Sequence, residues 1–202
     1  MICPGTPIPK KESMELVFAT HNQNKIKEIQ SLLPNNIQLL SLPDIGCTEE
    51  IPETKNTLEG NAILKATHIL KHYGYPCFAD DTGLEVVALH GAPGVFSARY
   101  AGEPKDDVAN IQKLLFEMKH IADRRAQFTT VIALCLNNEI KIFKGVIKGE
   151  ITEKPRGVYG FGYDPVFQPA GYKQTFAELP LLTKNKISHR ALAFGKLLAY
   201  LQ

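Results

Sequence analysis

The chain has 202 residues, with 23 Lys+Arg against 21 Asp+Glu, four Cys, no Trp, 44% hydrophobic residues and a formal net charge of +2. That composition excludes a disordered low-complexity chain, a disulfide scaffold and a collagen-like repeat, and it leaves enough length for a sizeable core. The near-balanced charge also excludes a surface given over to gripping nucleic acid, although a local basic pocket remains compatible with it.

Residues 1–13 (MICPGTPIPKKES) carry Pro4, Pro7 and Pro9 and no apolar h-region, so they are expected to form a flexible extension and not a signal peptide. ELVFAT (15–20) predicts a buried strand opening into a polar turn. Ile26, Ile29, Leu32 and Leu33 give 24–33 the spacing of an amphipathic helix, ended by Pro34. A second strand is expected over 37–42. A helix over 57–73 buries Leu58, Ala62, Ala66 and Ile69, with Gly74 as its stop. The apolar run 77–79 predicts a short strand ending at Asp80 and Asp81, and 84–89 is strand-like again. Residues 106–119 predict a helix with Val108, Ile111, Leu114, Leu115 and Met118 on one face. Two runs, 128–136 and 139–143, flank Asn137 and Asn138 as a two-residue hairpin, and 145–151 reads as one more strand. A Gly/Pro/aromatic loop, GVYGFGYDPVFQPAGY (157–172), precedes a final helix over 188–201. No repeat or linker interrupts the pattern. Residues 14–202 are expected to be a single mixed α/β domain that begins βαβ and continues with antiparallel strands.

No uncharged stretch reaches the roughly 18 residues of a membrane-spanning helix. Cys3, Cys47, Cys77 and Cys135 lie far apart with no CxxC pair, so reduced thiols in a cytoplasmic protein are expected.

The small net charge hides a polarity. Residues 44–60 hold Asp44, Glu49, Glu50, Glu53 and Glu59 against Lys55, a local net of −4. Residues 173–202 hold Lys173, Lys184, Lys186, Arg190 and Lys196 against Glu178, a local net of +4. Carboxylates suit a divalent cation and Lys or Arg suit a polyphosphate, so the two segments could together make a site for both; on charge alone, solvated surface faces are the favoured reading.

Four motifs carry possible chemistry. Thr20, His21, Asn22, Gln23, Asn24 and Lys25 occupy a strand-to-helix turn, where free backbone N–H groups and the positive helix end make an anion seat. They lack the glycines of a Walker A loop, and helix capping is the structural alternative. Asp80-Asp81-Thr82-Gly83 ends an apolar strand, the place where α/β sheets bind ligands. Adjacent strand residues point to opposite faces, so only one acid need face a cleft; an Asx turn accounts for one acid but not two. Ser188 is a natural N-cap, which puts His189 and Arg190 in a helix's first turn, where cations are disfavoured unless an anion or a base edge compensates, or unless both are simply exposed. Phe161-Gly162-Tyr163-Asp164, with Tyr159 and Phe167 nearby, offers either a stacking face for a nucleobase or plugs for a core.

Taken with FATHNQNKIKEI (18–29), NAILKA (61–66), FADDTGLEVVALHGAPGVFSARYAG (78–102), GFGYDPVF (160–167) and KISHRALA (186–193), these motifs fall in one order along nearly the whole chain. The chain resembles the inosine triphosphate pyrophosphatase family, which acts on noncanonical purine nucleoside triphosphates. The resemblance implies an elongated mixed central sheet with flanking helices, two lobes around a cleft, and a homodimer. It implies Mg²⁺-dependent hydrolysis of ITP, dITP and XTP to the monophosphate and pyrophosphate, with neither nucleic acid nor membrane as partner. Carried over by position, Thr20–Lys25 would contact the triphosphate, and Asp81 would be catalytic acid and metal ligand. Glu53, twelve positions ahead of Lys65, would be the second metal ligand, and Asp80 would support the site. Thr82, Phe161, Gly162, Tyr163, Asp164, Lys184, His189 and Arg190 would contact substrate, with Lys25 and Lys184 neutralising phosphate and His189 and Arg190 reading the base. Two departures are visible: His21 stands where many members have Gly, and Tyr159-Gly160 where many have two glycines. A non-catalytic nucleotide- or RNA-binding module and a phosphomonoesterase are the competing classes.

Overall fold

The first strand, β1 (Met14–Phe18), buries Leu16, Val17 and Phe18 in a computed structural model that describes residues 13–202. The expected 1–13 extension lies outside those residues apart from Ser13. After β1 the chain turns into α1 (Gln23–Gln30), because the Asn22 side chain accepts the N–H groups of Asn24 at 3.0 Å and Lys25 at 3.2 Å. The helix ends one turn before the predicted limit, and the chain returns as β2 (Ile37–Leu40), parallel to β1. Helix α2 (Leu58–Tyr73) follows the sequence expectation at both ends. Thr57 caps it through the Gly60 N–H at 3.0 Å, and Gly74 ends it at φ 74°.

Strand β3 (Cys77–Val86) corrects the prediction of a short strand ended by two acids. It runs unbroken through Asp80, Asp81, Thr82 and Gly83, in antiparallel register with the later strand β5 (Arg125–Leu136) from Cys77↔Cys135 to Val86↔Ala126. Pairing along the whole length overrides the low strand propensity of Asp and Gly. Gly83 is needed there, because a methyl group would overlap the carbonyl of Gly94 in the two-residue strand β4 (Pro93–Gly94). Helix α3 (Asp107–Glu117) is capped by Asp106, and its buried stripe begins one turn later than predicted, at Asn110 and Ile111, leaving Val108 exposed.

Strands β5 (Arg125–Leu136) and β6 (Glu139–Ile151) form the expected hairpin. Asn137 and Asn138 adopt φ of 50° and 61°, the left-handed pair that a type I′ turn requires. Residues 145–151 continue β6 and are not a further strand. At Gly145 a methyl group would overlap the His189 carbonyl and the Ala193 amide, so β6 passes directly against the last helix. Strand β7 (Phe167–Pro169) pairs with the end of β6, and α4 (Leu181–Ile187), absent from the sequence reading, leads into α5 (His189–Leu201). Ser188 caps α5 as expected, accepting the Ala191 N–H at 3.2 Å.

The sheet order is β2-β1-β3-β5-β6-β7, parallel from β2 to β3 and antiparallel beyond, with β4 on the free side of β3. This is a mixed α/β fold with flanking helices. Apolar residues gather in three clusters. One packs α2 on the sheet through Ala62, Ala66 and Ile69, and a second packs α5 on the opposite face through Phe194 and Leu197. The third collects the far ends of β3 and β5 with α3 and Phe167. Between the far cluster and the other two, β3 and β5 carry a polar belt of Asp80, Asp81, Thr82, Thr129 and Thr130, all buried or half-buried. From that belt, Asp81 and Thr82 line the cleft between two lobes. Cys47, Cys77 and Cys135 are buried free thiols, and among the described residues no helix is long and apolar enough to cross a membrane.

Candidate active site

The alternation of β3 sends its two acids to opposite partners. Asp80 is fully buried. It accepts Lys25 Nζ at 2.8 Å and Arg190 Nε at 3.1 Å. Burial opposes its charge, but Lys25, Arg190 and Lys65 together hold its carboxyl well below the usual range. Asp81 turns to α2, where Asn61 Nδ2 donates to its Oδ2 at 2.9 Å, and the Thr82 N–H donates to its Oδ1 at 3.0 Å. Burial raises the Asp81 pKa, the Lys65 charge opposes the shift, and the Glu53 carboxylate adds to it. Glu53 itself accepts Lys65 Nζ at 2.6 Å, and the same ammonium donates to the Asp80 carbonyl at 2.6 Å.

Arg190 and Lys184 are not exposed. Arg190 is 2% exposed, bonded through Nη1 to Glu28 and through Nη2 to Thr82 Oγ1 at 3.2 Å in addition to Asp80. Lys184 Nζ donates to Glu28 at 2.6 Å and to Asp164 at 2.5 Å. The unfavourable first-turn position of Arg190 is thus compensated by two carboxylates of the chain itself. His189, 3% exposed, stacks on Phe128 with centroids 4.5 Å apart, and its Nδ1 has no hydrogen-bond partner. Burial, helped by the Arg190 and Lys184 charges, pushes its pKa well below the ordinary value, so the ring is neutral. Among the aromatics both readings hold. Tyr163 is a buried plug bonded to the Ser97 carbonyl at 2.9 Å, and Phe167 is core. Phe161 is left at the cleft, with Lys184 Nζ 5.1 Å from its ring centroid.

A cavity of about 130 Å³ brings together Asn22, Lys25, Asp81, Thr82, Phe161, Gly162, Tyr163, Asp164, Lys184, His189 and Arg190. A second, of about 450 Å³, adjoins it across Phe161 and Lys184 and is lined also by Asn24, Glu28 and Tyr159. Thr20, His21, Gln23 and Glu53 line neither. The backbone N–H groups of Asn22, Asn24 and Lys25 already bond to Thr20 and Asn22 side chains, so the turn offers an anion fewer free donors than expected. His21 instead places Nε2 3.0 Å from the Glu49 carbonyl. Another cavity, about 550 Å³ between Glu85, Arg125 and Lys148, contains none of the predicted residues.

Among the described residues no ion pair joins 44–60 to 173–202. The basic side pairs with Glu28, Asp80 and Asp164, while Glu53 pairs with Lys65 and Arg99. Sequence reasoning missed Glu28, Asn61 and Asp107. Asp107 accepts the Gly162 N–H at 2.7 Å on the cleft wall. In sequence each looks like an ordinary helix residue; only the i, i+4 spacing of Asn61 and Lys65 signals a shared polar face.

A family model described as the Ham1 family matches residues 16–200. A protein named dITP/XTP pyrophosphatase from Christiangramia forsetii is 57% identical over 188 residues, 93% of this chain and 99% of that one. One of the same name from Bacillus subtilis is 49% identical over 187 residues, 91% and 94% of the two chains. The solved structure of the Staphylococcus aureus Ham1 protein matches with a TM-score of 0.84 at 43% identity, covering 93% of this chain and 97% of that one. A HAM1 protein from Coxiella burnetii matches at 0.86 and 43%, covering 93% and 98%. The matched span contains every cleft residue from Asn22 to Arg190, and the chain belongs to the Ham1 family.

Proposed function

We propose that this chain hydrolyses noncanonical purine nucleoside triphosphates (dITP, XTP and ITP) to the monophosphate and pyrophosphate, with Mg²⁺ as cofactor. The observation that carries the reading is the cleft floor. Asp81, an acid whose proton affinity is raised by burial, stands beside Lys25 and opposite a wall of donors built from Lys184, His189 and Arg190. The names of the relatives support the substrate class.

Asp81 and Glu53 fit a hard divalent cation. Mg²⁺ takes one or two carboxylates and completes its shell with water and substrate oxygens. When bound there, the ion supplies charge neutralisation and polarisation at the reacting phosphoryl group.

The chain's own residues supply the rest. Asp81 takes the proton of the attacking water at the oxygen lone pairs that Asn61 and Thr82 leave free. Lys25 spends one of its three N–H donors on Asp80 and keeps two for phosphate oxygens. Lys184 is already neutralised by Glu28 and Asp164, which makes it a directed donor and a poor counter-charge for phosphate. With Arg190 and the neutral His189 it presents donors to a base edge. A 6-keto oxygen accepts from such donors, whereas the 6-amino group of adenine faces them with hydrogens and leaves buried groups unpaired. Phe161 offers a ring face to the base. A homodimer, a cytoplasmic location and a single domain over 14–202 belong to the same proposal, and sedimentation equilibrium tests the first.

The deciding assay follows dITP, XTP, ITP, GTP and ATP with and without Mg²⁺, measuring pyrophosphate and orthophosphate separately. The expected result is Mg²⁺-dependent pyrophosphate release from the deaminated purines and little from ATP. Orthophosphate as the only product would assign a phosphomonoesterase, and no product with salt-sensitive oligonucleotide binding would assign a binding module.

A further inference from the structure

Asn61 is 0% exposed in the first turn of α2, yet it is polar. Both ends of its amide are engaged. Oδ1 accepts the backbone N–H of Lys55 at 2.9 Å, and Nδ2 donates to Asp81 Oδ2 at 2.9 Å. The assignment of oxygen and nitrogen is forced, since a backbone N–H only donates and a carboxylate only accepts. One turn on, Lys65 lies on the same helix face and holds Glu53 and the Asp80 carbonyl. The segment 50–55 has no helix or strand of its own, so these side-chain bonds and an Arg99 contact to the Glu53 carbonyl at 3.4 Å locate it.

We propose that Asn61 is a positioning residue. One amide fixes the orientation of the Asp81 carboxylate and, through Lys55, the seat of the segment that carries Glu53, so the two carboxylates stay matched to each other. This rests on the reading of Asp81 and Glu53 given above. Residues that orient a metal-binding carboxylate from behind typically change metal affinity or activity 10- to 100-fold when removed. Asn61 touches no substrate and acts only through the Asp81 carboxylate, so its loss should act on kcat and on cation affinity more than on nucleotide binding.

Two variants separate the halves of the claim. Asn61→Leu keeps the volume and removes both bonds. Asn61→Asp keeps an acceptor for Lys55 and removes the donor to Asp81. Three quantities are measured: kcat and KM for dITP, the affinity for Mn²⁺ alone without nucleotide, and amide exchange at Lys55. Asn61→Leu should lower kcat by about 10- to 100-fold with KM within about threefold, weaken Mn²⁺ by a similar factor, and lose protection at Lys55. Asn61→Asp should lose kcat while Lys55 stays protected. Wild-type kcat in either folded variant, or a change confined to KM, overturns the proposal. If Asn61→Leu does not fold, Asn61→Asp decides alone. If the wild type releases no pyrophosphate from dITP, the functional reading fails, and unchanged Mn²⁺ affinity with unchanged Lys55 exchange would overturn the positioning role separately.

Discussion

Asp80 and Asp81 are consecutive in β3, and their charges are treated oppositely by the fold. Lys25 and Arg190 hold Asp80 ionised against its burial, whereas burial raises Asp81 and Glu53 reinforces the shift. A period-two strand places them on two faces, and each face then sets its own chemistry. Asp80 is a structural anion that organises cations around the cleft. Asp81 retains the proton affinity a base needs.

Asp81→Asn should therefore lower dITP turnover by about 10²- to 10⁴-fold, the usual contribution of a general base. Because burial disfavours the Asp81 charge, the melting temperature should stay level or rise. Substantial residual hydrolysis in that variant would remove Asp81 from its role.

Arg190→Ala acts mainly on folding. It strands Glu28 and Asp80 as buried carboxylates that have lost a partner, a change that costs about 3–5 kcal/mol. Urea denaturation should show that loss. A variant that keeps wild-type stability and loses only dITP activity would mean the pairs contribute little and Arg190 acts on the base alone.

The pH dependence of stability has a defined sign. Glu28, despite burial, is held low by Arg190 and Lys184, as Asp80 is by Lys25 and Arg190. Their contribution is complete above the unfolded values of about 4.3 and 3.9 and is lost as pH falls through the lower folded values. Asp164, raised by burial, runs the other way: its contribution is present below its unfolded value and is lost as pH rises through the folded one. The stability gap between wild type and Asp80→Asn should be level from neutrality down to about pH 5 and should narrow progressively as the pH falls below about 4. Urea midpoints from about pH 3 to 7 measure it, and a gap that ignores pH would contradict the assignment.

Gly145→Ala is expected to be harmful although it adds one methyl group to a strand. The methyl would meet the backbone of α5 at His189 and Ala193, where no rotamer can move aside. Overpacking of this kind costs about 1–3 kcal/mol, and here it displaces the turn that carries His189 and Arg190. Lower stability together with lower kcat/KM for dITP is the expected pair of results.

Local chemistry made part of this legible. Thr57 and Gly74 bound α2, Asn137 and Asn138 turn the hairpin, and Ser188 caps α5, each through bonds within a few residues. Most of the cleft residues were legible because five blocks match a family pattern. What the sequence hides is decided across long separations. Glu28 meets Lys184 and Arg190 from 156 and 162 positions away. The continuity of β3 through Gly83 depends on β5, which follows some 40 residues later. Lys184 reads as a free cation in sequence, and only the fold shows that two carboxylates already hold it.

Strands β3 and β5 each contribute side chains to all three apolar clusters, and their ladder crosses the floor of the cleft without a break. The two lobes consequently share a leaf spring and have no pin between them. Any movement of one lobe against the other would have to spread as added twist over ten residue pairs. No single residue can then be stiffened to freeze the motion. Amide exchange along 77–86 should stay slow with and without nucleotide, and any gain in protection should fall on the 157–164 loop above it.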